Sequence, residues 1–240
     1  SLTVEPGKGR ALKKQVLELL ESEPFDRALE KLRLMPGRQA VNPLFSFLLH
    51  KDELIRWRAV TGMGVVAVQL AQDDMEGVRT VMRRLMWSLN EESGGIGWGA
   101  PESMAEVMCR LAGLADEYVH MLISYMREDG EELCQDGNYI EHPLLQRGLL
   151  WGVACLSECR PQLLLERGAG NDVLPYLAAA DAETRGLAAL ACGNLRLTPA
   201  EGQLRGLTKD AAGLSLYRDG ELVYTTVAAL AQSALEMLCR

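Results

Sequence analysis

The sequence predicts an all-α protein of stacked antiparallel helix pairs, broken near its end by one small β-hairpin. Three observations carry this. A segment beginning near residue 48 recurs 129 residues later with its charged and small residues in register. Apolar residues keep helical spacing along most of the chain, with most prolines falling at segment starts or between them. A single stretch, Leu214–Tyr224, alternates instead, around Arg218-Asp219-Gly220.

In chain order, helices are expected at 8–21, 24–34, 40–50, 53–71, 74–90, 101–114, 116–128, 144–158, 161–167, 171–178, 181–195, 199–207 and 225–239. Val16, Leu17, Leu19 and Leu20 mark a buried face in the first, and Val107, Met108, Leu111 and Leu114 do so in the sixth. Pro24, Pro36, Pro101, Pro143, Pro161 and Pro199 stand at starts or between segments, where a missing amide costs least. Pro43 and Pro175 fall inside two segments, so those helices are expected to start later. Strands at 214–217 and 221–224 form the hairpin within the last helix pair.

The repeat is clearest when two segments are aligned at an offset of 129. Asp52 then matches Asp181, Arg56 matches Arg185, Ala59 matches Ala188 and Gly64 matches Gly193. Each Asp is placed to accept from the first amides of the following helix, and its charge suits the helix's positive end. The Ala and Gly positions let neighbouring helices approach closely. Weaker copies surround Arg147, Glu102 and Val227–Ala231, at spacings of about 38 to 46 residues, the range of helix-pair repeats.

This pattern, a Leu-rich helix and short turn followed by Asp and Arg-x-x-Ala, resembles the HEAT-like repeats of the PBS-lyase HEAT type over roughly residues 40–240. The resemblance implies a right-handed solenoid of about five to six HEAT-like antiparallel helix pairs. It divides a single domain, 1–240, into capping helices at 1–39, repeats at 40–198 and a last pair with its hairpin at 199–240.

Composition narrows the function. The chain is 48% hydrophobic and 24% charged, an ordinary globular balance, with no apolar run of membrane-spanning length and no signal-peptide pattern. The expectation is a cytoplasmic protein without a membrane partner. Net charge is -8, with 11 Lys/Arg against 8 Asp/Glu in residues 1–60 and 14 against 25 thereafter. Phosphate binding needs a basic stripe, so nucleic acid is not the expected ligand. The six cysteines form no CxxC pair and read as reduced thiols packed as small hydrophobes. Cys155 and Cys159 share a helix face and, with Cys134 or His142, are a weaker metal alternative. No metal and no cofactor is expected. His50, His120 and His142 read as surface or capping residues, and no Ser-His-Asp or Cys-His pattern names a catalytic centre.

The candidate site is the glycine-dense connection after the fifth helix. Trp87 and Trp98 are anchors of the kind found at binding hot spots. Glu91, Glu92 and Glu102 suit a cation or basic partner. Gly95, within four glycines in six residues, permits close approach to a ligand. Its Gly-x-Gly-x-Gly order follows a helix rather than a strand and is not a nucleotide loop. A second, acidic loop, 128–142, contains Tyr139. Regular stacking would bring both loops to one edge.

The resemblance implies a non-catalytic scaffold that binds another protein through its concave face and long loops. Its alternative is a pigment- or cofactor-handling lyase-like protein. Homodimerisation through the N-terminal segment, or through the C-terminal hairpin with its edge strand at 221–224, is a further expectation.

Overall fold

The computed structural model describes residues 6–128, 130 and 138–240, without the side chains of Pro6 and Glu91. Most of the second loop, including Cys134, lies outside the described residues. The helices are α1 (Pro6–Glu21), α2 (Phe25–Arg33), α3 (Gly37–Phe47), α4 (Glu53–Ala71), α5 (Met75–Ser88), α6 (Ala100–Arg110) and α7 (Ala112–Ser124). They continue with α8 (Pro143–Cys159), α9 (Pro161–Glu166), α10 (Gly170–Val173), α11 (Ala182–Asn194), α12 (Glu201–Leu207) and α13 (Val227–Leu238). Short 3-10 turns occupy Glu91–Ser93, Leu174–Ala178 and Thr198–Ala200. Strands β1 (Gly213–Arg218) and β2 (Glu221–Thr226) form the expected hairpin. The fold is all-α with this one small insert.

Two expectations are corrected. Helix α3 starts early, at Gly37, and runs through Pro43. Buried Ala40, Pro43, Leu44 and Phe47 hold one face of it in the core, which offsets the hydrogen bond that proline cannot make. The cysteine expectation holds only in part. Cys192 is a buried thiol, pushed up to about 12 by burial, and Cys239 is an exposed one, whereas Cys109 and Cys159 are disulfide-bonded.

The chain forms two compact units. The first is residues 1–110 with the hairpin tip 219–221, and the second is 111–218 with 222–240.

In the first unit, α4 packs against α3, α2, α5 and α6. Its buried residues, among them Ile55, Ala59, Val60, Met63, Val66 and Leu70, lie on several sides, so it is a core helix rather than an amphipathic one. Gly64 faces α6: a Cβ there would stand 2.7 Å from Arg110 Nε and 3.1 Å from Glu106 Cβ. Also in this unit is Arg58, 1% exposed. Its guanidinium donates to Gly220 O at 3.0 Å, Leu20 O at 3.0 Å and Ser22 O at 3.3 Å. It also pairs with Glu23 and Glu221 and lies over the Phe25 ring at 4.5 Å. A buried cation is tolerable only when paired and hydrogen-bonded, and here both conditions are met.

In the second unit, α11 packs between α8 and α13. Gly193 is the counterpart of Gly64, and a Cβ on it would meet Ala234 Cα at 2.7 Å. Trp151 donates its indole N–H to Tyr217 O at 3.2 Å, tying β1 to α8.

The repeat is visible atom by atom. Asp52 accepts from Ile55 N–H and Asp181 from Thr184 N–H, each three residues on. Arg56 Nη1 donates to the carbonyls of His50 and Lys51, and Arg185 Nη1 to those of Ala179 and Ala180, six and five residues back in both cases. Ala59 and Ala188 are both fully buried. One sequence pattern therefore builds one local structure twice.

Candidate functional site

The glycine-dense connection is assembled by backbone turns. After α5 the chain closes through Asn90 N–H to Trp87 O at 2.9 Å, and Asn90 Oδ1 then accepts from Glu92 N–H at 3.0 Å. Ser93 Oγ accepts from Gly95 N–H at 3.1 Å. Gly97 and Gly99 have φ of +78° and +77°, a backbone that favours glycine. A Cβ on Gly99 would lie 2.9 Å from Leu48 Cδ2, so the loop is pressed onto the α3–α4 turn. Ala100 N–H donates to Gly97 O and Ser103 N–H to Gly99 O, which starts α6.

The structure places the candidate residues unevenly. Trp87, in the last turn of α5, is 53% exposed. Glu92 and Gly95 are exposed, and Trp98 is half-buried. Glu91 opens the 3-10 turn, its side chain outside the described atoms. Glu102 is half-buried in the first turn of α6. Burial pushes its carboxyl up to about 7, and its own backbone N–H only partly opposes this. One turn on, burial also raises Glu106, with Arg110 pulling the other way at 3.3 Å.

Tyr139 belongs to the second unit, where it supports structure. Gln146 Nε2 donates to the Tyr139 hydroxyl at 3.3 Å and to Ile140 O at 2.9 Å. Ile140 N–H donates to Tyr125 O, and Tyr176 donates its hydroxyl to Met126 O at 3.1 Å. Burial, then the nearby Tyr139, raise the Tyr176 phenol. These contacts anchor the return leg of the second loop.

Leu49 and Ile96 carry no motif or spacing that sets them apart in the sequence. They are 64% and 54% exposed, and with Trp87 they give this part of the first unit large uncovered apolar side chains. A hydrophobic residue in a turn or glycine loop was the available signal. His50 and His142 are capping residues, as expected: the first accepts from Asp52 N–H and the second from Leu144 N–H. Among the described residues no cluster of His, Cys, Asp and Glu could hold a metal, and no helix is long and apolar enough to cross a membrane.

These features define a helical-repeat protein, and solved structures agree. A designed armadillo repeat protein in complex with the peptide (KR)4 is 19% identical, with a TM-score of 0.50, over 95% of this chain and 99% of that one. An engineered protein is 15% identical, with a TM-score of 0.52, over 95% and 98%. At such identities the likeness shows the fold alone. No family model matches the sequence. An uncharacterized protein of Archaeoglobus fulgidus is 35% identical over 83 residues, 33% of this chain and 42% of that protein. The match thus spans less than half of that relative's length.

Proposed function

We propose that this chain is a HEAT-type repeat protein that binds another protein, without turnover, at the α3–α4 turn, the end of α5 and the adjoining loop 89–99. The observation that carries the reading is the exposure of three large apolar side chains of the first unit, Leu49 in the α3–α4 turn, Trp87 at the end of α5 and Ile96 in the loop that follows. Exposed aromatic anchors such as Trp87 are of the kind that dominates binding energy at protein interfaces. Repeat architectures place their insertions in loops and use them for recognition. The designed armadillo protein of similar fold is in complex with the peptide (KR)4, and a peptide ligand is proposed here.

The test is selection from a random peptide display library on the immobilised protein, with counter-selection on a Trp87→Ala, Ile96→Ser variant. Sequences enriched on the wild type and lost on the variant support the reading. Equal enrichment on both, or none on either, removes it.

A second reading, self-association, rests on β2. Val223 and Tyr224 are exposed on this strand of a two-stranded sheet, and an open strand is a template for pairing. Sedimentation equilibrium decides it, since a mass that stays at 26.4 kDa up to high concentration removes the dimer.

A further inference from the structure

Three arginines occupy like positions early in the second helix of a pair: Arg56 in α4, Arg147 in α8 and Arg185 in α11. Two of them hold an aspartate that follows later in the chain. Arg147 takes Asp181, the N-cap of α11, through Nε at 2.9 Å and Nη2 at 2.6 Å. Arg185 takes Asp210 through Nε and Nη2, both at 2.9 Å. Arg185 also uses Nη1 to hold the two turn carbonyls behind it, so one edge of its guanidinium does structural work and the other grips a carboxylate.

Arg56 does only half of this. Its Nη1 holds His50 O at 2.9 Å and Lys51 O at 3.3 Å, as Arg185 holds its own turn. Among the described residues, no carboxylate pairs with its Nε and Nη2 edge. The reason lies in the loop. The residue before α6, where Asp181 stands before α11, is Gly99. Its φ of +77° and its contact with Leu48 leave no room for a side chain. Packing through Gly64 holds α6 against α4, and Gly99 holds the start of α6 on the α3–α4 turn that Arg56 clamps. Asp52, four residues before Arg56, accepts from Ile55 N–H rather than from that edge. Arg56 is half-buried, so the ungripped edge sits at the surface on a side chain already fixed by two hydrogen bonds.

We infer that Arg56 anchors a carboxylate of a bound peptide, which takes the place that Asp181 and Asp210 fill for the later arginines. A guanidinium fork suits this ligand, because it meets a carboxylate with two parallel N–H donors in fixed geometry. Pre-ordering by the turn carbonyls lowers the entropy lost on binding. The inference rests on the peptide-binding reading and specifies the chemistry of one contact in it.

Isothermal titration calorimetry on the full chain tests it with three probes. They are acetyl-(Gly-Asp)4-amide, acetyl-(Gly-Ser)4 with a free terminal carboxylate, and (Lys-Arg)4-amide. Wild type is compared with Arg56→Gln and Arg185→Gln. Both variants lose the same clamp on turn carbonyls, so Arg185→Gln controls for loss of structure. At least one carboxylate probe is expected to bind wild type and Arg185→Gln alike and to lose tenfold or more in affinity on Arg56→Gln. Preference between the first two probes assigns the carboxylate to a side chain or to a chain end. Carboxylate binding that survives Arg56→Gln overturns the inference. Binding of (Lys-Arg)4 alone overturns it while leaving the peptide-binding reading standing, and silence from all three probes counts against both.

Discussion

Replacing Glu102 by Gln should stabilise the protein above neutral pH and do nothing in mild acid. Burial in the first turn of α6 raises this carboxyl from its ordinary 4.5 to about 7. A raised folded value means that the native state favours the protonated form. The associated stability is fully present below about pH 4.5 and is lost as the pH rises through 7. The displacement corresponds to roughly 3 kcal/mol at full effect. Glu102 keeps some contact with water, so ~2 kcal/mol is the expected size of the loss. Glutamine keeps the shape and cannot ionise. For a protein of this length ~2 kcal/mol moves Tm by roughly 4–8 °C. Thermal unfolding by circular dichroism at pH 4.5 and pH 8 reads this directly. The variant should melt higher than wild type at pH 8 and together with it at pH 4.5. An equal shift at both pH values would assign the effect to packing, and a lower Tm at pH 8 would refute the burial argument.

Arg58→Ala should cost about 3–5 kcal/mol in urea unfolding, because it strands three carbonyls and removes a buried cation from two glutamates. A cost below 1 kcal/mol would show that the guanidinium is not a core element. Gly193→Ala forces α11 and α13 apart and should destabilise by about 1–3 kcal/mol. Gly202→Ala, which meets nothing within 4 Å in α12, should stabilise by up to ~1 kcal/mol. Burial opposes ionisation of Asp181, yet Arg147 and Thr184 hold its carboxyl below the ordinary value. Its contribution should therefore be present near neutrality and fade as pH falls through the lowered value. The gap in stability between wild type and Asp181→Asn should narrow in acid. Cys239 should react with a maleimide in the native protein, whereas Cys192 should label only on unfolding.

Local structure was readable because its causes lie close together in the chain. The bounds 53–71 for α4 follow from Asp52 as a cap and an unbroken apolar run, and the structure has those same residues. The hairpin follows from Asp219-Gly220, both of which take positive φ. What could not be read has distant causes. Nothing near Arg58 in the sequence distinguishes it from Arg56, two positions earlier, because its partners include residue 220. The sixth helix ends at Arg110, short of the expected 114, since Leu111 turns extended before α7 begins. In the candidate loop the glycines and tryptophans stood out by composition. The burial that sets Glu102, and the relation of Gly99 to Arg56, depend on how α6 lies on α4.

The Arg58 knot also bears on the order in which the chain is made. A ribosome delivers residues 20–23 and 58 early, but the hairpin tip that completes their hydrogen bonding comes more than 160 residues after Arg58. Until then the first unit lacks two of the groups that pair with Arg58 in the finished fold, Gly220 and Glu221. Its final consolidation is therefore a late event, set by arrival of the hairpin rather than by the speed at which its own helices form.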